Sequence, residues 1–223
     1  MGFPGMQNIW QVETIIVILK LSLLVGAILS FAGHRYDAAV ITLLIFMITF
    51  LPILLGKRFK VKIPVEFEVL AVIFIYASLF LGEVHGYYVR FWWWDLVLHT
   101  SSGFLLGILG FLLVDVLNEN EYIELDLEPH FVAFFAFLFA IGFGTFWEIF
   151  EFMIDNIFDT NMQKSGLQDT MWDLIVNCIG ALIISILGWG YLRKQGINSF
   201  LERWVHDFIE VNPRFFRHRR KKH

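Results

Sequence analysis

The sequence predicts an all-α membrane protein: a polytopic bundle of about six transmembrane helices, both termini cytoplasmic, with a C-terminal amphipathic helix on the membrane surface. Three observations carry this. Hydrophobic types make up 57% of the 223 residues and charged types only 17%, where soluble domains carry about 25% charged residues; mean hydropathy is +0.65. The apolar residues fall into long continuous runs that approach the roughly 20 helical residues needed to cross a bilayer core of about 30 Å. Lys and Arg lie mostly on one side of those runs. The same composition excludes a disordered chain, because 25 Phe and 8 Trp are far too many, and the lone Cys178 excludes a disulfide scaffold.

The runs are Val12–Ala32, Ala38–Leu55, Val65–Gly82, Asp95–Val114, Phe131–Asp155 and Met171–Leu192. None shows the period-two alternation of a lipid-facing strand, so each reads as a helix. The first carries Lys20, expected to snorkel or pair, and the third opens on Glu66 and Glu68. No basic residue precedes the first run and no convincing small-residue cleavage site follows it, so it is expected to be retained rather than cleaved.

Counting loops fixes the expected orientation. Lys57, Arg58, Lys60 and Lys62, with nine Lys and Arg from Arg193 to Lys222, lie on the side of the termini; Arg35, Arg90 and Lys164 lie on the other. This bias places the termini in the cytoplasm, in the inner membrane of the cell. Residues 1–195 read as the transmembrane domain and 196–223 as a cytoplasmic helix and basic tail. In the tail, Ser199-Phe-Leu-Glu202 reads as a capping box. Phe200, Leu201, Trp204, Val205, Phe208 and Ile209 then recur at helical spacing up to Pro213. Such a helix lies on the bilayer, and the Arg217–Lys222 cluster faces anionic lipids; a basic run this short and tied to a membrane is a poor nucleic-acid surface. On the opposite side, Tyr87, Tyr88 and Phe91–Trp94 form an aromatic belt.

Ionisable groups inside spans cost several kcal/mol and mark pairing or function. The last three spans hold most of them. Asp95, His99 and Ser102 share one face of the fourth helix, Glu148, Glu151 and Asp155 one face of the fifth, and Asp169, Asp173 and Asn177 one face of the sixth. Six spans put all three faces in the outer half of the membrane, with Glu83 and His85 at the end of the third helix expected in reach. Gly103, Gly107, Gly144 and Gly180 allow close helix approach. With no Lys or Arg on these faces, a shared proton or a divalent metal ion is the economical way to hold the charge. Glu148, Glu151, His99 and Asp173 are the expected catalytic and metal-ligating residues, with Asp95, Asp155, Asn177 and Ser102 supporting the cofactor around them. A His-plus-carboxylate set suits Zn²⁺, Mn²⁺ or Fe²⁺.

The order D-x-x-x-H with a glycine-rich continuation (Asp95, His99, Gly103, Gly107), a glutamate (Glu148) and D-x-x-x-N-x-x-G (Asp173, Asn177, Gly180) resembles the VanZ-like membrane protein superfamily over roughly residues 94–190. Two departures, Glu151 where a Gln is common and no Arg ahead of Asp173, bring it closer to the YjdF-like branch. The resemblance implies a cell-envelope role, VanZ-type proteins being linked to glycopeptide tolerance; it does not supply a reaction. Three readings stay open. One is an enzyme using a cation on a lipid-linked or amphiphilic substrate; another is a structural or regulatory subunit whose polar cluster locks helices. The third is a small ion- or proton-coupled transporter, which would need a homo-oligomer, such as a dimer, or a polar path through the inner half.

Overall fold

Continuous apolar sequence leaves the backbone one way to satisfy its polar groups without water, and in the computed structural model the spans are helical, the second with one break. The structure describes residues 6–118, 127–193, 208 and 210–213. Among them there is no strand. Six segments are long and apolar enough to cross a membrane: Trp10–Ala32, Tyr36–Phe59, Val65–Val84, Trp94–Val114, Pro129–Phe158 and Leu167–Arg193. These match the runs read from the sequence to within a few residues. The expected amphipathic tail helix and its basic cluster lie almost wholly outside the described residues.

The chain divides into two compact units, Met1–Trp94 and Asp95–His223. In the first, α1 (Met6–Ala32) packs on α2 (Tyr36–Ile48) and on α4 (Val65–Ile75). The second span is broken: the Thr49 hydroxyl turns back to the Phe46 carbonyl at 2.6 Å. Pro52 then sits in the first turn of α3 (Leu51–Phe59), where its missing N–H costs nothing. Lys60 closes α3 in the left-handed conformation, φ 56°. The third span changes gauge, α4 continuing as a π-helical stretch, Tyr76–Val84. That stretch carries Phe80 into a core with Leu23 and Ile45. Lys20 pairs with Glu68 at 3.4 Å and lies 4.3 Å from the centre of the Phe50 ring, so its charge is met by a partner in its own unit. His85 is likewise engaged locally, bonded to the Phe80 carbonyl at 3.0 Å and edge-to-face with the Phe80 ring. A short α5 (Tyr87–Arg90) leads into the aromatic belt, where Tyr87, Phe91, Trp93 and Trp94 stack edge-to-face or tilted.

The second unit is α6 (Trp94–Asn118), α7 (Pro129–Phe158) and α8 (Leu167–Arg193). Each buries a stripe of small residues with polar groups at one end. On α7 the stripe is Ala133, Ala136, Ala140, Gly144 and then Glu148; on α8 it is Asp173, Asn177, Gly180, Ala181, Ile184, Ser185 and Gly188. Steps of three and four keep each stripe on one face. The glycines set the distance between helices. A Cβ on Gly103 would run into the Asn177 carbonyl, and one on Gly180 into the Thr100 carbonyl, so α6 and α8 meet backbone to backbone. At Gly144 an added Cβ would meet the Asn177 side chain at 2.6 Å, and at Gly110 it would meet Ala136 Cα at 2.8 Å, which ties α7 to the same pair. Large apolar side chains such as Phe146, Phe150, Ile179 and Ile186 point outward and are exposed. That is the surface of a protein whose solvent is lipid.

Candidate functional site

The polar ends of the three stripes meet around one imidazole. His99 stands one turn into α6, below Asp95. Its Nε2 lies 3.5 Å from Asp95 Oδ1 and 4.0 Å from Asp173 Oδ2, and its Nδ1 lies 3.7 Å from Glu148 Oε1. These are longer than hydrogen bonds, which run about 2.7–3.2 Å. The groups converge without closing on one another. One ligand atom each from Asp95, His99 and Asp173 falls within 4.8 Å of the others, a spacing a single cation can gather.

Burial sharpens the arrangement. Glu148 is 4% exposed, and neither of its oxygens has a hydrogen-bond partner among the described residues; the Thr170 hydroxyl approaches without meeting that geometry. A buried carboxylate without a donor is costly. Its position is nevertheless dictated by the helix, since Glu148 continues the small-residue stripe of α7. Asn177 builds the floor. Its Nδ2 donates to Ser102 Oγ at 3.2 Å and to the His99 carbonyl at 3.4 Å, and Ser102 Oγ donates to that same carbonyl at 2.8 Å. The backbone carrying His99 is therefore held from α8.

Three differences from the sequence reading are physical. Glu151, expected to share a cation with Glu148, instead accepts from the Trp147 indole at 2.9 Å, one turn back on its own helix. It stands off the buried stripe, and Asp95 takes its place among the convergent atoms. Asp155 caps the following loop: its carboxylate accepts from Thr160 Oγ1 at 2.7 Å, Met162 N at 2.7 Å and Gln163 N at 2.9 Å. Finally, the faces do have a basic partner. The loop that Asp155 folds back carries Lys164, whose ammonium contacts Asp95 Oδ2. The signal was present in the sequence, for Lys164 is the single Lys or Arg between Arg90 and Arg193.

The charge count shows what the site can do. Asp95, Glu148 and Asp173 bring three formal negative charges; Lys164 offsets one, and His99 a second when protonated. Like charges 4.8 Å apart at an effective dielectric near 20 repel by on the order of 3 kcal/mol. With His99 neutral, as a metal ligand must be, a divalent cation offsets the two negative charges that remain. The donor set is hard oxygen plus one imidazole, which suits Mn²⁺, Fe²⁺ or Zn²⁺.

A protein of Thermotoga maritima, described as an uncharacterized protein, is 30% identical over 148 residues, spanning 66% of this chain and 73% of its own length. No solved structure matches the chain. Residues 14–194 match the family described as predicted membrane protein (DUF2238), and the chain belongs to that family.

Proposed function

We propose that the chain is a cell-envelope protein of the cytoplasmic membrane that holds a divalent cation at the outward end of its second unit and uses it on an amphiphilic substrate. The observation that carries this is the convergence of Asp95, His99 and Asp173 with a buried carboxylate, Glu148, behind the imidazole. Metal-bound histidines commonly present one ring nitrogen to the ion and the other to a carboxylate, which fixes the tautomer. Here Nε2 faces the two aspartates and Nδ1 faces Glu148. Asp95, His99 and Asp173 are then the ligands, Glu148 orients His99, and Asn177 and Ser102 hold the backbone. A cation held by these three residues would supply Lewis-acid chemistry to a substrate bound beside it. The resemblance to VanZ-like and YjdF-like proteins supports an envelope role. The basic residues at 57–62 and 193–222 support a cytoplasmic position for both termini and hence an outward position for the site.

The test is metal content. Protein purified in detergent, exposed to Mn²⁺ and desalted is expected to keep about one ion per chain; His99→Ala and Asp173→Asn are expected to keep none while remaining folded. A second reading, that the cluster only locks three helices, is favoured by the Asn177 cross-links and by the backbone contacts at Gly103 and Gly180. It expects no ion in the wild type and a large loss of thermal stability in the Asp173→Asn variant.

A further inference from the structure

Lys164 is the charged group of this site nearest to solvent or lipid headgroups. Its side chain is 28% exposed and that of Asp95 16%, while Glu148 and Asp173 are 4% and 3% exposed. The ammonium is more exposed than Asp95, Glu148 or Asp173. Its placement is built. Asp155 takes two backbone N–H groups and a hydroxyl from residues 160–163, and Gln163 Nε2 donates to Thr170 Oγ1 at 2.7 Å, anchoring the loop to the first turn of α8. Asp159 and Gly166 bracket the loop with left-handed residues, φ 54° and 64°, so it turns sharply at both ends. The loop thereby holds residue 164 beside Asp95.

We infer that Lys164 is a specificity-determining residue that recognises the phosphate-bearing head group of the amphiphile on which the site acts. The inference rests on the cation reading above and adds the substrate's chemical class. Asp95 explains the choice. Its Oδ1 faces His99 Nε2 and its Oδ2 the ammonium, so a cation at the ligand atoms and the Lys164 charge stand on two sides of one carboxylate. An oxyanion that bridges them gains both charges. A cationic head group meets repulsion from Lys164, and a neutral one gains less from either charge. Lys serves as a point charge for phosphate. Trp147 and Trp172, each one residue before an acidic member of the site, are exposed and offer an apolar surface on which the substrate's tail would lie.

The experiment uses full-length protein in detergent micelles, loaded with Mn²⁺, and two phosphate probes: inorganic phosphate and dihexanoyl phosphatidic acid. Paramagnetic broadening of the ³¹P line reads approach to the ion; Mn²⁺ electron paramagnetic resonance separately counts the ions bound. In the wild type, both probes are expected to broaden, the lipid at about tenfold lower concentration. Lys164→Gln is expected to keep its Mn²⁺ and to need at least about tenfold more of either probe, as the loss of a charge-assisted contact implies. Lys164→Arg is expected to restore most of the effect. Equal broadening in wild type and Lys164→Gln, with Mn²⁺ bound in both, overturns the inference and leaves the cation reading standing. If the wild type binds no Mn²⁺, the cation reading fails. The ³¹P shift of the same probes against metal-free protein then reads Lys164 directly: a difference between wild type and Lys164→Gln keeps phosphate recognition, and no difference overturns it. Broadening by inorganic phosphate alone marks a soluble phosphate, not a lipid head group, as the ligand.

Discussion

At the level of single residues, the account gives Glu148 a role distinct from that of a ligand. If it orients His99 through Nδ1, Glu148→Gln keeps the shape but removes the charge that favours a donating ring nitrogen. Substitutions of this kind typically cost about 10–100-fold in metal affinity. A competition titration of Mn²⁺ against a chelator is expected to show a loss in that range, with Glu151→Gln changing the affinity by less than about threefold because its partner is the Trp147 indole. Loss of binding in Glu151→Gln and not in Glu148→Gln would contradict the assignment. His99, Glu148, Asp173 and Asn177 were legible in the sequence because spacing on a helix fixes which residues share a face. That Glu151 stands off this group was not. It depends on which side of α7 is turned inward, and the decisive clue is the run of small residues ending at Glu148 rather than the acidic residues themselves. Lys164 was missed because a loop residue has no periodicity to reveal where it lands.

Among the elements, close approach of α6 and α8 is what brings the acidic stripes together, and glycine is what permits it. Gly103→Ala and Gly180→Ala each put a methyl group into a facing backbone carbonyl, and overpacking of this kind costs about 1–3 kcal/mol. Gly142→Ala, where an added Cβ meets nothing within 4 Å, is the control. Thermal unfolding in detergent is expected to fall by several degrees for the first two and to stay unchanged for the third. The α7–α8 loop makes a parallel prediction. Asp155→Asn removes the charge that collects Met162 N and Gln163 N, and limited proteolysis within residues 159–166 is expected to become faster, with little change in overall unfolding temperature. Cleavage at the wild-type rate would show that Asp155 does not hold the loop. The six spans were legible because length and hydropathy suffice to mark them. The break at Thr49–Pro52 and the π-helical turn after Ile75 were not, for both arise from local hydrogen bonding inside otherwise uniform apolar sequence.

For the molecule as a whole, charge is scarce, and its positions matter more than its total. The basic residues at 57–62 and beyond 193 account for the expected orientation, and a periplasmic reporter fused after Lys222 is expected to stay inactive; an active reporter would invert the site to the cytoplasmic face. In the second unit, Asp95, Glu148 and Asp173 gather at one end, where three helices hold them around His99. Anomalous scattering from crystals grown with Mn²⁺, collected at the manganese edge, tests this most directly. The account predicts one peak within coordination distance of His99 Nε2 and of oxygens from Asp95 and Asp173, with Glu148 on the far side of the ring. A peak between Glu148 and Glu151, or bound Mn²⁺ with no peak beside His99, would contradict it.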